Sequence, residues 1–386
     1  MPTFPASRLA DIAPFHVMEL LARARALEGE GRDIIHMEVG EPDFPTPEPI
    51  VAAAQAQIAT GRVLYTPALG LPELRAAIAA FYETRYGISV PASRIVVTAG
   101  ASGALLLAMA CLAEPGSEWL LSDPGYPCNR NFVRSFEGVP VGIPVRADNN
   151  FQPTLAEIER HWTARAAGAL LASPANPTGT LLDDNTLGAI ANFIRRQGGQ
   201  LIVDEIYHGL TYERPASTAL QFGDDIFVVQ SFSKYFNMTG WRLGWLVVPE
   251  RFTRDIEKLA QNLFISPSTP AQHAALAAFA PATLNILEAR RLEFKRRRDF
   301  LAPALAELGF RQATRPEGAF YVYADCSRLT DSSDRFAREL LEAAGVAITP
   351  GLDFGSNQPE KHLRFAYTAT LERLAQAVDR IRRFLG

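Results

Sequence analysis

The chain has 386 residues, of which 48% are hydrophobic and 21% are charged, and its formal net charge is -4. This length exceeds one ordinary hydrophobic core, so we expect a large domain and a smaller one. The small negative charge without a basic patch argues against nucleic-acid binding, and no apolar run is long enough to predict a membrane span. The first residues lack a signal-peptide core, and the three cysteines lack disulfide or metal-ligand spacing. We therefore expect a cytoplasmic protein without a bound metal.

The order of the predicted elements favours an α/β fold. A helix is predicted at 16–27 and a strand at 34–39, and apolar runs then alternate with helical patterns as far as residue 248. These runs predict strands at 94–99, 118–122, 139–145, 168–173, 200–205, 225–231 and 243–248. Short, nearly continuous apolar strands between helices are typical of a mostly parallel central sheet with helices on both faces.

The pattern changes after Pro281. A long charged helix to about residue 309 is followed by strands at 319–325, 346–349 and 362–367 and by a final helix at 371–384. This mixture predicts a smaller α+β domain. We expect an N-terminal arm that forms part of the small domain at 1–45, a large domain at 46–281 and a small C-terminal domain at 282–386.

Lys234 stands out among the loops that follow the predicted strands. Open parallel sheets bind ligands beyond the carboxyl ends of their strands, and Lys234 follows the strand at 225–231 between hydroxyl and aromatic residues. Such surroundings suit an amine of lowered pKa that forms a Schiff base, although a lone lysine is more often a solvated surface charge. Ser231, Ser233 and Arg242 nearby offer the hydroxyls and the guanidinium that bind a phosphate.

Two other strand ends carry groups that suit the same site. Ala101 and Ser102 open a helix after the strand at 94–99, where backbone N–H groups can approach an anion. Asp204 lies at the end of the strand at 200–205, and a poorly solvated carboxylate there needs a cationic partner such as a protonated pyridine ring. The residues LIVDE also fit the acidic strand of nucleotide hydrolases, but neither a P-loop nor a dinucleotide-binding glycine pattern occurs in the sequence.

The segment SFSKYFNMTGWRLG (231–244) resembles, at every position, the lysine-attachment signature of class I and II aminotransferases. Further motifs of this family, the aspartate-aminotransferase family, extend the resemblance over nearly the whole chain. They are VGEPDFPTP (39–47), YTPALGLPELRAAIA (65–79), NPTG (176–179), DEIY (204–207), PEGAFYVY (316–323) and HLRFAYT (362–368). The resemblance implies fold type I and a cofactor, pyridoxal 5'-phosphate, bound in the large domain. It also implies an aminotransferase that exchanges the amino group between an L-amino acid and a 2-oxo acid.

The same resemblance implies roles for individual residues toward the cofactor ring. Lys234 would hold the cofactor covalently and move a proton, and Asp204 would pair with the ring nitrogen. Tyr207, which completes the catalytic set, and Asn176 would hydrogen-bond the ring oxygen, while Tyr126 would stack on the ring. The plainer alternatives are that the tyrosines are core aromatics and that Asn176 caps a turn, with unusual backbone geometry where a proline follows it.

The resemblance further implies a phosphate site and a second subunit. The phosphate would be held by Ser231, Ser233, Arg242 and the backbone of Ala101 and Ser102. Tyr65 resembles the tyrosine that reaches the phosphate from the other subunit, which implies a homodimer with shared active sites. An ordinary turn residue before a proline is the plainer interpretation of Tyr65.

The substrate side of the site is less closely defined. Arg364 matches the arginine that binds the substrate α-carboxylate, assisted by Gly40 and Asn176, although a strand arginine can simply face solvent. Phe15 in the N-terminal arm is a candidate for lining an apolar side-chain pocket. Ser102 occupies a position that is often basic in the aspartate-preferring branch, which mildly disfavours a dicarboxylic substrate. Alanine, branched-chain and aromatic amino acids all remain open as donors.

Two other functions remain open on the sequence alone. A pyridoxal-phosphate-dependent C–S β-lyase would use nearly the same cofactor-binding residues. A non-catalytic ligand sensor is disfavoured, because the residues before position 46 contain neither a helix-turn-helix pattern nor a basic patch. His208, beside Tyr207, receives no role.

Overall fold

The structure is a computed structural model and describes residues 5–12 and 14–386. The α-helices of this part of the chain are α1 (His16–Gly29), α2 (Glu48–Ala59), α3 (Pro72–Tyr86), α4 (Gly100–Leu112), α5 (Pro127–Ser135), α6 (Leu155–His161), α7 (Asp184–Arg196), α8 (Thr253–Leu263), α9 (Thr269–Leu276), α10 (Pro281–Glu307), α11 (Ser333–Ala344) and α12 (Leu371–Leu385). The β-strands are β1 (Ile35–His36), β2 (Ile95–Thr98), β3 (Glu118–Asp123), β4 (Val139–Pro144), β5 (Ala166–Ala172), β6 (Gln200–Asp204), β7 (Phe227–Ser231), β8 (Gly244–Val247), β9 (Tyr321–Asp325), β10 (Val346–Ala347), β11 (Thr349–Pro350) and β12 (His362–Ala366). Among the described helices, none combines the length and the apolarity needed to cross a bilayer.

A seven-stranded sheet lies at the centre of the molecule, with the strand order β2-β8-β7-β6-β5-β3-β4. Strand β8 runs antiparallel to its neighbours β2 and β7, and the other neighbouring pairs are parallel. Every strand predicted between residues 94 and 248 forms and belongs to this sheet. The predicted mostly parallel α/β fold is therefore confirmed.

The strand directions bring the functional loops to one edge of this sheet. Because β8 is antiparallel to both β2 and β7, those two strands run in the same direction. The carboxyl ends of every strand except β8 consequently lie at one edge, and the amino end of β8 lies there too. This is the edge at which open α/β sheets bind ligands.

Both faces of the central sheet are covered by apolar side chains. In β3, Trp119 and Leu121 pack with Leu105 of α4 on one face, whereas Leu120 packs into the apolar cluster on the other. Side chains alternate along a strand, so a strand that is apolar throughout must be buried on both faces. The sheet is thus a rigid base from which the loops project.

A second, antiparallel sheet with the order β11-β12-β9 forms in the C-terminal part of the chain. The N-terminal segment packs here: β1 pairs in parallel with β10 through Ile35 and Val346. Arg373 of α12 also makes two hydrogen bonds to the carboxylate of Asp33. The N-terminal residues therefore contact the C-terminal part, while the domain boundaries themselves stay predictions.

Candidate active site

One cavity lies at the carboxyl edge of the central sheet and is closed on the other side by residues of β9, β12 and α1. Every residue that the sequence assigned to a site lines this cavity, with the exception of Tyr65. The residues concerned are Phe15, Gly40, Ala101, Ser102, Tyr126, Asn176, Asp204, Tyr207, Ser231, Ser233, Lys234, Arg242 and Arg364. The structure therefore brings these residues together, and their individual roles stay predictions.

Lys234 lies in the loop after β7 and faces the cavity. Its Nζ donates a hydrogen bond to the carbonyl oxygen of Gly40 at 2.6 Å and lies 5.8 Å from the centre of the Phe320 ring. Burial lowers the pKa of this amine to about 8; the charge of Glu41 opposes the shift and that of Arg364 adds to it. The lowered pKa increases the fraction of Lys234 that is an uncharged amine near neutral pH, the form that acts as a nucleophile or a base.

Asp204 ends β6 and is 4% exposed. Among the described residues, only the backbone N–H of Ile206 donates to its carboxylate, at 3.1 Å. Burial raises the pKa of Asp204 to about 7, and the Ile206 N–H and the charge of Lys234 offset only part of this shift. A buried carboxylate with so few donors favours a cationic ligand in the space that it faces.

Tyr207, Asn176 and Tyr126 line the cavity around Asp204. The Tyr207 hydroxyl lies 2.8 Å from the hydroxyl of Tyr321. Burial raises the pKa of Tyr207 and of Tyr126 well above the usual value, so both phenols keep their protons at neutral pH. The peptide bond that follows Asn176 is cis, which is the kind of unusual backbone geometry predicted at this position.

The start of α4 lies against the loop that carries Arg242. Gly100, the first residue of α4, has a φ of +72°, and a β-carbon there would lie 2.7 Å from Arg242 Nη2. A β-carbon on Gly244 would lie 2.9 Å from the backbone nitrogen of Ala101. The two glycines thus let the guanidinium and the amino end of β8 approach the free N–H groups of the helix. Together the N–H groups of the helix and the guanidinium form an anion site with a positive potential.

Hydroxyl groups of the loop between β7 and β8 line the cavity next to this anion site. The backbone N–H of Ser233 donates to Ser231 Oγ at 3.0 Å, and Thr239 Oγ1 donates to the carbonyl of Ser233 at 2.9 Å. Arg242 adopts a left-handed φ of 54°, and its Nη1 donates to the Thr239 carbonyl at 3.1 Å. The loop is therefore fixed by its own hydrogen bonds and offers the donor set of a phosphate-monoester site.

Arg364 lies in β12 and is 4% exposed, so the interpretation of a solvent-facing residue is wrong. Its Nη1 donates to Asn176 Oδ1 at 2.9 Å, and its Nη2 donates to the carbonyl of Glu38 and, at 3.2 Å, to Thr349 Oγ1. Its buried Nε has no hydrogen-bond partner among the described residues. The guanidinium is thus held in one orientation with a donor still available, as carboxylate binding requires.

The N-terminal arm contributes an apolar wall to the cavity, and the carboxylate of Asp353 from the C-terminal part of the chain lies beside this wall. Phe15 packs edge-to-face on Tyr126 with the ring centres 6.4 Å apart, and Met18 lines the same cavity. Asp353 accepts hydrogen bonds at 2.8 Å from the backbone N–H groups of His16 and of the residue after it. This carboxylate therefore caps α1 and fixes the apolar wall to the C-terminal part of the chain.

Tyr65 lies outside the cavity. It is 81% exposed, and its neighbour Leu64 is 67% exposed. The Leu64 carbonyl accepts a hydrogen bond from Thr269 Oγ1 at the start of α9, which holds this apolar segment at the surface. The role of Tyr65 in a second subunit's site stays a prediction.

Tyr321, Asp353 and Phe354 also line the cavity but were not predicted as site residues from the sequence. Tyr321 belongs to the quoted motif PEGAFYVY, but its place in the site depends on the pairing of β9 with β12. Asp353 and Phe354 follow β11 and belong to no motif. Only the structure shows that this turn reaches the start of α1.

His208 lies behind the cavity and is 5% exposed. Its Nδ1 lies 3.1 Å from the Tyr86 hydroxyl and 3.4 Å from Glu205 Oε2. Burial lowers the pKa of His208 to about 3 and raises that of Glu205 to about 8, so both are neutral at physiological pH. The three side chains form a buried polar cluster outside the cavity lining.

Comparison with known proteins identifies the family. The model for "Aminotransferase class I and II" matches residues 32–381. A valine–pyruvate aminotransferase of Mycobacterium tuberculosis is 38% identical over 377 residues, which cover 96% of each chain. The crystal structure of an aminotransferase from M. tuberculosis superposes with a TM-score of 0.96 at 38% identity over 99% of both chains. An aspartate aminotransferase from Thermus thermophilus with maleate superposes with a TM-score of 0.93 at 33% identity over 98% of this chain and 99% of that one. The chain therefore belongs to the class I and II aminotransferases, enzymes that use pyridoxal phosphate to transfer an amino group between an amino acid and a 2-oxo acid.

Proposed function

We propose that this aminotransferase binds pyridoxal phosphate through Lys234 and that its preferred amino donor is an apolar amino acid with a single carboxylate. The observation that carries the proposal is the convergence of three groups on one cavity. They are an amine with a pKa lowered to about 8, a buried carboxylate and a buried guanidinium with an unused donor.

The residues of the cavity fit the cofactor. Asp204 has one hydrogen bond and would bind a protonated ring nitrogen. The anion site at the start of α4 and the hydroxyls of Ser231 and Ser233 would hold the phosphate together with Arg242. Tyr207 and Asn176 would bind the ring oxygen, and Tyr126 would cover one face of the ring. Gly100 and Gly244 permit the close approach of Arg242 and of the amino end of β8 to the start of α4 that this site needs.

The chemistry is divided between the cofactor and the protein. When bound, pyridoxal phosphate supplies an aldehyde carbon that condenses with amines and a ring that accepts the electrons released at the substrate α-carbon. Lys234 would take the proton from the substrate α-carbon and deliver it to the former aldehyde carbon of the cofactor, because burial lowers the pKa of its amine toward neutral pH. Arg364 would orient the substrate carboxylate with the N–H groups that its partners within the protein leave unused, with Asn176 and Gly40 beside it.

The charges around the cavity support an apolar donor. Its cationic lining residues within the described chain are Lys234, Arg242 and Arg364, and each already has a proposed role. A second carboxylate on the substrate would find no further cation of this subunit and would approach Asp353 on the wall formed by Phe15. Desolvated like charges repel strongly, so aspartate and glutamate are disfavoured as donors.

The function of the similar M. tuberculosis enzyme points in the same direction. It is named as a valine–pyruvate aminotransferase, and both of its named substrates are monocarboxylic. We propose valine or alanine as donor, with a monocarboxylic 2-oxo acid as the product.

We also propose that the enzyme is a homodimer. Leu64 and Tyr65 are exposed next to the start of α9, and Leu263 and Ile265, just before α9, are also about half exposed. Large apolar side chains grouped at a surface are typical of a protein–protein interface. Tyr65 would contact the phosphate in the other subunit.

The test is the visible absorption spectrum of the purified holoenzyme during addition of single amino acids without any oxo acid. Valine or alanine should bleach the lysine-bound cofactor and release one oxo acid per site, and aspartate should do so at least tenfold more slowly. Faster conversion of aspartate would contradict the substrate class. Continuous release of ammonia and pyruvate with unchanged colour would indicate a lyase instead.

A further inference from the structure

Tyr321 is the first residue of β9, is 1% exposed and lines the active-site cavity. Three contacts define its position. Its hydroxyl lies 2.8 Å from the Tyr207 hydroxyl, and the centre of its ring lies 4.4 Å from the guanidinium carbon of Arg364. Its hydroxyl also occupies the space that a β-carbon on Gly40 would need. One side chain therefore touches residues from both sides of the cavity.

We infer that Tyr321 is a positioning residue for the transamination reaction: its hydroxyl directs the proton of Tyr207 toward the cofactor, and its ring fixes the carboxylate-binding plane of Arg364. This inference rests on the proposed binding of pyridoxal phosphate by this cavity. It extends that proposal by a residue that links the cofactor side of the site to the substrate side.

The pair of hydroxyls can share its hydrogen bond in either direction, and a bound cofactor that accepts from Tyr207 would select one of them. Each phenol carries one proton, and among the described residues Tyr207 is the only hydrogen-bond partner of the Tyr321 hydroxyl. If Tyr321 donates to Tyr207, the Tyr207 proton is available to the ring oxygen of the cofactor. A donor that itself accepts a hydrogen bond is strengthened through polarisation.

The groups around this pair keep both phenols protonated. Burial raises the pKa of Tyr207 and of Tyr321, and Arg364 acts in the opposite direction on both. Tyr126 also faces Tyr207 and adds to its upward shift. Lys234 and Asp204 are the other titratable groups on the cofactor side of the cavity. Neither hydroxyl therefore ionises at the pH of catalysis, and both act as hydrogen-bond donors.

The ring of Tyr321 acts on Arg364 in a different way. The guanidinium lies between two aromatic rings, with its carbon 4.4 Å from the centre of Tyr321 and 4.9 Å from that of Phe354. Contact with the two aromatic rings fixes the plane of the guanidinium, while the hydrogen bond to Asn176 fixes one of its N–H donors. Loss of one ring would remove one of the restraints on the plane of the guanidinium and let it tilt further from the carboxylate.

Two substitutions separate these functions. Tyr321→Phe keeps the ring and removes the hydroxyl, whereas Tyr321→Leu removes both. Tyr367→Phe is the matched control, because its hydroxyl is also buried and bonds to Tyr212 and to the Ala319 carbonyl, outside the cavity lining. Each holoenzyme is examined in two ways. One is the pH midpoint of the visible absorption change of the lysine-bound cofactor. The other is the Kd of 3-methylbutanoate, an unreactive carboxylate that lacks the amino group.

Tyr321→Phe should raise the pH midpoint by roughly half a unit and leave the Kd within about twofold of the wild-type value. The reason is that a weaker donor at Tyr207 stabilises the negative ring oxygen less, so this oxygen holds the proton on the neighbouring nitrogen more tightly. Tyr321→Leu should raise the midpoint in the same way and also raise the Kd roughly threefold to thirtyfold. Tyr367→Phe should change neither quantity.

An unchanged midpoint in Tyr321→Phe, or an unchanged Kd in Tyr321→Leu, would overturn the role of Tyr321. The Tyr321→Phe variant keeps the inference testable if the larger change to leucine prevents folding. A wild-type protein that bound no pyridoxal phosphate would overturn the proposed function and this inference together. Variants that form holoenzyme and behave like the wild type would overturn the inference alone.

Discussion

Asp204 lies in surroundings that oppose its charged form, and this has a measurable consequence for stability. An unfolded aspartate loses its proton near pH 4, whereas burial raises the pKa of Asp204 in the folded protein to about 7. Between these values the folded state holds a proton that the unfolded state has released. The free energy of unfolding therefore falls as the pH rises through this window.

Asp204→Asn should remove this pH dependence. Without cofactor, the free energy of unfolding of the variant should increase relative to that of the wild type by on the order of 2–4 kcal/mol between pH 4.5 and pH 8. The reason is that the amide carries no buried charge. With pyridoxal phosphate bound, the wild type should be more stable than the variant, since only the carboxylate pairs with the protonated ring nitrogen. Denaturant unfolding of both proteins across this pH range, with and without cofactor, measures the effect. Equal pH slopes for the two cofactor-free proteins would contradict the assignment.

Arg364 offers a second prediction at this scale. Arg364→Lys should lower kcat/KM for the amino donor about tenfold to hundredfold, because an ammonium can neither make the two-pronged contact nor stack between two aromatic rings. The loss should appear chiefly in KM. Arg335→Lys, an exposed arginine paired with Asp331 four residues earlier in the chain, is the control and should leave both constants unchanged. A wild-type KM in Arg364→Lys would refute the carboxylate-binding role.

At the scale of elements, the position of α1 depends on a residue far away in sequence. Asp353 caps the helix through two backbone N–H groups, and α1 carries Val17 and Met18 of the cavity wall. The element that forms one wall of the cavity is thus fixed by a carboxylate in the turn after β11. Loosening this cap should change substrate selection more than the chemical step.

Asp353→Asn should test this coupling. An amide can accept only one of the two hydrogen bonds and lacks the charge that favours a helix N-terminus, so we expect a loss of about 1 kcal/mol of stability. The KM for valine should rise several-fold, and the preference for valine over aspartate should fall, because a negative charge has left the pocket. Asp334→Asn, a half-buried residue in the first turn of α11 that pairs with Arg338 outside the cavity lining, is the matched control. An unchanged valine-to-aspartate ratio in Asp353→Asn would contradict the proposed role.

The elements also show what a sequence can and cannot predict. Strand β6 was predictable because its apolar run, LIV, is local and is bounded by two glycines before it and by the acidic pair after it. The position of β8 between β2 and β7 was not, since it depends on pairing between residues 95–98 and 244–247. Local patterns contain no information about which distant strand becomes the neighbour.

The same limit applies to the site. Lys234 and Asp204 were recognised because each follows its own strand, and all such ends meet at one edge of a parallel sheet. Tyr321 meets Arg364 only through the register of β9 and β12, in which Arg364 lies opposite Tyr323 and Tyr321 is the diagonal neighbour. Asp353 reaches α1 across more than 300 residues of sequence. Groups whose role depends on tertiary contact had to be found in the structure.

At the scale of the whole molecule, the cavity is assembled from parts that are distant in the chain. Its base comes from the central sheet, the wall that carries Tyr321 and Arg364 from β9 and β12, and its apolar wall from α1. Tyr65, the remaining predicted site residue, is exposed and lies outside. If Tyr65 acts in a second subunit, the functional unit is a homodimer in which each site combines Lys234 of one chain with Tyr65 of the other.

A mixed dimer provides the test. Lys234→Ala should abolish turnover, because no other lysine lines the cavity among the described residues, and Tyr65→Ala should weaken cofactor binding. In a purified hybrid of the two variants, one site carries both defects and the other carries none. Shared sites should therefore restore about half of the wild-type activity per dimer, because a twofold dimer has two equivalent sites. A hybrid no more active than the Tyr65→Ala homodimer would show that each subunit uses its own Tyr65 or none. The Tyr65→Ala homodimer gives the baseline, and mass measurement of the hybrid in solution verifies that two chains are present.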